Sequence, residues 1–302
     1  MIIKKTQAVF LIFVLAVPVF GIQNKIIIDD LGYSHVIDSP PKRIISLAPN
    51  ITEILFALGL GEKVVGVTRY CDYPREAKQK EKIGGMTNPS LEKIIALNPD
   101  LIVGFQGNTL RILERLRSLH LPVFAIEMGK TIESVFLIIN TIGAITQKEE
   151  IAKILIQSLK NKYAKIQSAL QDIQHEPKVF ITLHGMGLWT CGKDSFIDDL
   201  VRKAKGLNIA GKIQRRWLPY NREQLIHEDP EFIIIISNSQ EEFSKTKEWI
   251  KKKAHLESIR AVEKENIYFL DANLATRPGP RIIDALDHLA RILHPQYFET
   301  EK

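Results

Sequence analysis

Cysteine is nearly missing from this 302-residue chain, with only Cys71 in the first half and Cys191 in the second. A chain of this length does not need disulfides to hold a core. Two free thiols are the simpler reading, and a bond between them would tie the halves together. The eight histidines are scattered, with no pair at i, i+3 or i, i+4, so no helix offers a zinc pair. A Gly-x-Ser-x-Gly elbow is lacking, which removes the usual hydrolase signature on an α/β sheet. The basic excess is small: the formal charge is +6, and loss of Lys4 and Lys5 with residues 1–21 leaves +4. Its densest patches, Lys212 to Arg216 and Lys245 to Lys253, belong to no nucleic-acid motif. The second, interrupted by Glu248 and Trp249, reads as the solvated face of a helix.

One long apolar run exists, and it stands at the start. Lys4 and Lys5 precede Ala8 to Phe20, a run shorter than the roughly 20 residues a membrane span needs and broken by Pro18. Val19 and Gly21 supply small residues before a cleavage point, so residues 1–21 read as a secretory signal. No cysteine lies near that point to carry a lipoprotein's lipid. The mature chain is expected to be soluble, exported and periplasmic.

The sharpest enzyme-like motif is Gly187-Leu188-Trp189-Thr190-Cys191-Gly192-Lys193-Asp194, which follows a strand and precedes a helix as a P-loop does. Asp194 stands where a Ser or Thr hydroxyl must meet magnesium, and its carboxylate would repel phosphate. An enzyme built on nucleotide or metal is therefore a remote alternative, and the chain is read as a non-enzyme.

What is present in abundance is alternation. Strands at Arg43–Ser46, Val64–Val67, up to Val103, and Val123–Ile126 alternate with helices, as do strands at Lys178–Leu183, Phe232–Ile236 and Ile267–Leu270. Such alternation indicates parallel sheets. Helix starts are read at Asn50, whose spacing to Glu53 suits a capping box, at Asn108, and at Ser195. Between the two sets, Ile151, Leu155, Leu159, Tyr163, Ile166, Leu170 and Ile173 recur at steps of four or three. They define one helix of about 26 residues, roughly 39 Å long, placed to act as a strut. The expected fold is α/β, two doubly wound lobes joined by a single long helix. Its expected units are a signal (1–21), an N-terminal lobe (22–130), a helical connector (131–176) and a C-terminal lobe (177–302).

One short phrase occurs twice. Leu91-Glu92-Lys93-Ile94-Ile95-Ala96-Leu97-Asn98-Pro99-Asp100 is echoed by Arg222-Glu223-Gln224-Leu225-Ile226-His227-Glu228-Asp229-Pro230-Glu231, each followed by a β-branched run. The reading is a short helix stopped before Pro, then a buried strand, once per lobe. Ser90 and Asn221 suit N-caps, which puts Glu92 and Glu223 in first turns, where an acid interacts favourably with the helix dipole. Aromatic residues gather at the same strand ends: Tyr70 and Tyr73, Phe105, Trp189, and Trp217 with Tyr220 in a nearby loop. That grouping suits a large, flat, partly apolar ligand held between lobes.

These stretches, with Arg43 to Glu53, Val65 to Pro74 and Arg277 to Ile282, resemble the periplasmic substrate-binding proteins of ABC importers for cobalamin, haem and iron–siderophores. The resemblance runs through most of the mature chain and is nearest to the cobalamin-binding branch. It implies a monomeric binding protein without a cofactor, working with a membrane permease dimer and its ATPase subunits. It implies that Tyr70 stacks on a corrinoid, that Phe105 contacts ligand, and that Trp189, Trp217, Asn273 and Arg277 face the cleft. Asn273 stands where relatives can have an acid, and Gly85-Met86 where relatives have a tryptophan. Glu92 and Glu223 match the acids that dock onto permease arginines. Haem as cargo would call on Tyr70 and His184 as iron ligands. An anionic ferric siderophore would call on Arg69, Arg215, Arg216 or Arg277.

Overall fold

A computed structural model describes residues 25–298 except Gln106, Asp194 and Lys253. The segment read as a signal lies outside the described residues. Both large sheets are wholly parallel. In the first, Ile44–Ser46 lies between Val64–Val67 and Leu101–Phe105, with Glu81–Lys82 and Val123–Ile126 at the edges. In the second, Lys178–Leu183 lies between Leu207–Asn208 and Phe232–Ser237, with Ile267–Asp271 beyond. Apart from the extra edge strand Glu81–Lys82, the two orders are identical: the first strand sits inside, the second to one side, the third and fourth to the other.

The strands are buried on both faces because helices cover both. Successive side chains alternate across a sheet, and here Ile44, Val103, Phe105 and Phe124 enter one core while Ile45, Ile102, Val123 and Ala125 enter another. The second sheet repeats this, with Val179, Ile181, Ile234 and Ile236 on one side and Phe180, Ile233 and Ile235 on the other. The inner faces of the two sheets belong to one continuous core. Helices from along the whole chain complete that core, among them Pro49–Ala57, Ile132–Ile145, the long Glu149–Ala169, Phe196–Lys203 and the closing Ile282–Leu293.

The connecting strut is shorter than its periodicity suggests. The helix Glu149–Ala169 has 21 residues, about 32 Å at 1.5 Å each, and it buries Ala152, Leu159 and Ile166. Leu170 ends it as the C-cap, while Ile173 still packs on the core from the following turn. Periodic burial therefore outlasts the helix itself. Two more readings of helix starts are corrected. The first helix is Pro49–Ala57 with Ala48 as N-cap, because Pro at the first position needs no N–H donor there. Asn50 and Glu53 are thus inside it and form no capping box. The helix read from Asn108 begins at Leu110, because the Asn108 side chain is spent on the strand ends, as described below.

The repeated phrase folds the same way twice, down to individual hydrogen bonds. Asn98 and Asp229 both take left-handed conformations (φ 42° and 46°) before their prolines, an excursion that Asn and Asp tolerate best among side chains. Asp100 then accepts from the backbone N–H groups of Lys42 (2.7 Å) and Arg43 (2.8 Å). Glu231 accepts from the Lys178 N–H at 3.1 Å. Arg43 also donates to the Leu97 carbonyl (2.6 Å), as Lys178 does to the Glu228 carbonyl (2.9 Å). In each copy, then, the acid caps the neighbouring strand and a cation from that strand caps the short helix.

Candidate ligand cleft and docking units

Parallel sheets gather their ligand-facing loops at the carboxyl ends of the strands. Here those ends are brought together from both sheets. Residues 68–74 follow the strand Val64–Val67, and residues 272–281 follow Ile267–Asp271. Arg277 of the second segment binds Asp72 of the first at 2.5 Å and donates to the Tyr70 carbonyl at 3.3 Å. Elsewhere along this seam, Arg216 reaches the Met128 Sδ at 4.0 Å.

Beneath that contact lies a buried carboxylate. Glu53, on the first helix and almost wholly buried, accepts two hydrogen bonds from Arg281, from Nε at 2.9 Å and Nη2 at 2.6 Å. Arg277 lies 3.5 Å from the same carboxylate, and the Arg281 guanidinium stacks 3.8 Å from the Tyr73 ring centre. A bidentate arginine–carboxylate pair fixes orientation as well as charge. The clamp therefore joins the lobes at defined angles. A second junction reinforces it: Asp199 accepts from the Ile132 N–H at 2.9 Å, and Lys203 binds Glu133 at 2.6 Å. Burial works to raise the Asp72 carboxyl, but the Arg277 hydrogen bond and charge outweigh it and hold the group below 3.8.

The loop carrying Tyr70 is pinned from below. The buried Cys71 thiol meets Thr52 Oγ1 and Thr68 Oγ1, each at 3.1 Å, while Lys82 Nζ donates to the Cys71 carbonyl at 2.9 Å. With its backbone held, the Tyr70 ring stands 52% exposed. Trp189 on the opposite lobe is 50% exposed. It sits in a two-residue strand, Trp189–Thr190, paired antiparallel with Leu218–Pro219. Trp217, just before that partner strand, is half-buried against the main core, and Asn273 is half-buried in the first turn of Ala272–Ala275.

Phe105 is different. It is 2% exposed, because Leu101, Val103 and Phe105 share the inward face of their strand. Phe105 lines the wall of a solvent-open pocket of about 260 Å³ with Asp30, Leu31 and Asn108. Met86, packed with Phe105 around Gly107, is partly exposed. The buried Asn108 ties this wall together, accepting from the Phe105 N–H at 2.7 Å and donating to the carbonyls of Leu47 (3.0 Å) and Met86 (2.7 Å). Neither Asn108 nor the Glu53–Arg281 pair carries a local sequence signal for these roles. A lone acid at a core-facing position of an otherwise apolar helix is the one available hint for Glu53.

His184 is held by the second lobe. It contacts Asn238 at 3.4 Å and Glu242 at 3.7 Å and lines a cavity of about 390 Å³ with Trp249 and Thr246. Among the described residues, no group of three metal-ligating side chains occurs. The P-loop-like segment is not a phosphate cradle either. The N–H groups of Gly192 and Lys193 are used on the carbonyls of Arg215 (3.0 Å) and Ile213 (2.9 Å). Both cysteines are free and buried, and burial pushes the Cys191 thiol up to about 12.

The two glutamates stand on the rim. Each short helix returns antiparallel to the strand it precedes, so its first turn lies at the cleft edge of the sheet. Ser90 accepts from the Lys93 N–H (3.3 Å) at the start of Leu91–Ala96, and Asn221 from the Gln224 N–H (3.0 Å) at the start of Arg222–Glu228. Both Glu92 and Glu223 are exposed at or near the surface of their first turns. The Glu223 carboxyl is held below 4.5, by its own backbone N–H and then by Arg222.

Comparison with known proteins agrees with this architecture. A periplasmic binding protein family model matches residues 44–274. The chain is 32% identical over 279 residues to an uncharacterized ABC transporter substrate-binding lipoprotein, YvrC, of Bacillus subtilis (strain 168), covering 90% of this chain and 86% of that one. The solved periplasmic vitamin B12 binding protein BtuF of Vibrio cholerae superimposes with a TM-score of 0.75 at 25% identity, covering 86% of this chain and 99% of that one. The periplasmic heme-binding protein RhuT of Roseiflexus sp. RS-1 gives 0.77 at 25% identity, covering 85% and 99%. Among the described residues no helix is long and apolar enough to cross a membrane. With two sheets of one topology, a shared core and a cleft between their carboxyl edges, the chain belongs to the periplasmic binding protein family.

Proposed function

We propose that this protein captures a cobalamin-like corrinoid between its lobes outside the cytoplasmic membrane and delivers it to an ABC permease. The observation that carries this reading is the pair of half-exposed aromatic faces, Tyr70 on one lobe and Trp189 on the other, on loops whose backbones are hydrogen-bonded in place. Rings of this kind offer broad apolar area at low entropic cost to a flat macrocycle. Trp217, Asn273 and Met86 complete the surface. Arg277 holds Tyr70 by its carbonyl and is engaged with Asp72 and Glu53, so it acts through the stacking residue.

Recognition then rests on a largely pre-formed cleft, since the interlobe clamp and common core oppose wide hinge opening. No bond is made or broken; the work is capture and release. Glu92 and Glu223 serve as the two docking acids, one per lobe. The Vibrio cholerae relative, whose name states vitamin B12 binding, supports the corrinoid choice.

A ferric siderophore is the second reading, favoured by Arg69 and Arg215, both exposed near the cleft. Haem is less well served, because His184 Nε2 is already engaged with Glu242 and Asn238. Titration of the purified chain with cyanocobalamin, followed by tryptophan fluorescence, decides between them. Quenching at micromolar ligand supports the corrinoid. Flat fluorescence with a hemin Soret band or ferric-siderophore quenching would replace it.

A further inference from the structure

The two copies of the repeated phrase agree in one more respect. Three residues after each docking acid, a large aliphatic side chain is left outside the core. Ile95 is 50% exposed and Ile226 36% exposed, while their neighbours Ile94 and Leu225 are fully buried in both copies. Positions i and i+3 share a helix face, so Glu92 lies beside Ile95 and Glu223 beside Ile226.

Exposed isoleucines taken singly are ordinary. The same exposed isoleucine at the same offset from the same acid, on topologically equivalent helices of both lobes, is a repeated surface unit. Packing does not account for it, because the core position of each helix is filled by its neighbour. Nor does helix capping, which Ser90 and Asn221 already supply. The charges around the acids leave them available. Lys93 is drawn to Glu81 at 2.6 Å, while Glu223 pairs with its sequence neighbour Arg222 at 3.2 Å on the open surface and otherwise meets its own turn, through its backbone N–H and Asn221.

We propose that each lobe docks through a two-part handle, an acid and an adjacent isoleucine, onto a partner presenting a cation beside an apolar recess. The partner is a two-fold symmetric membrane permease with one such site per half, since duplicated handles on one chain suit a duplicated acceptor. The acid steers and orients; the isoleucine, desolvated on contact, lengthens the life of the complex. This inference rests on the assignment of Glu92 and Glu223 as docking acids.

The test uses the full chain and the host's own ABC permease–ATPase complex in lipid nanodiscs, with docking read by surface binding and by stimulated ATP hydrolysis. Cyanocobalamin affinity and the thermal midpoint of each variant are measured alongside. The double variant Ile95→Ser/Ile226→Ser is expected to weaken docking by about tenfold or more, chiefly through faster release, with unchanged midpoint and ligand affinity. Ile95→Leu/Ile226→Leu restores docking to within about threefold. Loss of docking in Glu92→Lys/Glu223→Lys with full docking in the serine variant overturns the isoleucine role and leaves the acids in place. Full docking in both overturns the docking assignment itself. A lowered midpoint in the serine variant that tracks its docking loss returns the isoleucines to packing.

Discussion

Replacing Glu53 by Gln should loosen the joint between the lobes. The substitution keeps shape but removes the charge that two guanidinium groups share. Arg281 loses its bidentate carboxylate, with bonds of 2.9 and 2.6 Å, and Arg277 loses a neighbour at 3.5 Å. Removing one partner of a buried pair generally costs about 3–5 kcal/mol. Arg277 retains Asp72, and Arg281 retains the Tyr73 ring and the Asn273 carbonyl at 3.5 Å. The amide oxygen of the substituted side chain can also accept one bond, so the expected loss falls to about 2–3 kcal/mol. That is a sizeable part of the ~5–15 kcal/mol that holds a native domain together. Urea unfolding should show a midpoint about 0.7–1 M lower if the slope is ~3 kcal/mol per M, and the Tm should fall by about 3–5 °C. Cyanocobalamin affinity should fall with it, since Arg277 also anchors the Tyr70 carbonyl. A double variant, Glu53→Leu with Arg281→Met, should recover much of the stability, because apolar replacement of both partners removes the unpaired charge. A loss under about 0.5 kcal/mol in Glu53→Gln, small beside the usual cost of breaking a buried pair, would refute the clamp as a source of interlobe rigidity.

Three further outcomes follow from the same geometry. Tyr70→Ala should weaken cyanocobalamin binding by roughly 30-fold, while Tyr70→Phe stays within about threefold, as calorimetric titration would show; equal losses would point to the hydroxyl rather than the ring. Asp72 has a folded-state pKa below 3.8, so its stabilising share is complete above the unfolded value and is lost as pH falls through the folded one. Urea midpoints should accordingly drop more steeply below about pH 4 in the native chain than in Asp72→Asn, and parallel curves would deny the linkage. Asp100→Ala strips acceptors from two strand-edge N–H groups and should cost about 1 kcal/mol, with Glu231→Ala similar in the other lobe; a neutral result in chemical denaturation would show water replacing the carboxylates.

Much of this molecule is legible in local pattern. The doubled phrase, its caps at Ser90 and Asn221 and the strands that follow depend on residues within a few turns of one another. Backbone preference and burial periodicity act over that range. The inward turn of Phe105 follows from the same grounds, since its alternation with Val103 and Leu101 puts all three on one face. The start of the first helix has a local cause too: Pro49 is a better first helical residue than Asn50 is a cap.

The amino-acid order alone therefore decided the two sheets, the connecting helix, the acids at the two helix starts and the aromatic character of the strand ends. Tertiary structure decided which of those aromatics stay exposed, that His184 meets Glu242, and that Glu53 meets Arg281 and Arg277. The reason is one of range. Periodicity and capping are settled by neighbours along the chain, whereas a bidentate ion pair between residues 228 positions apart forms only when two independently built lobes are pressed onto one core.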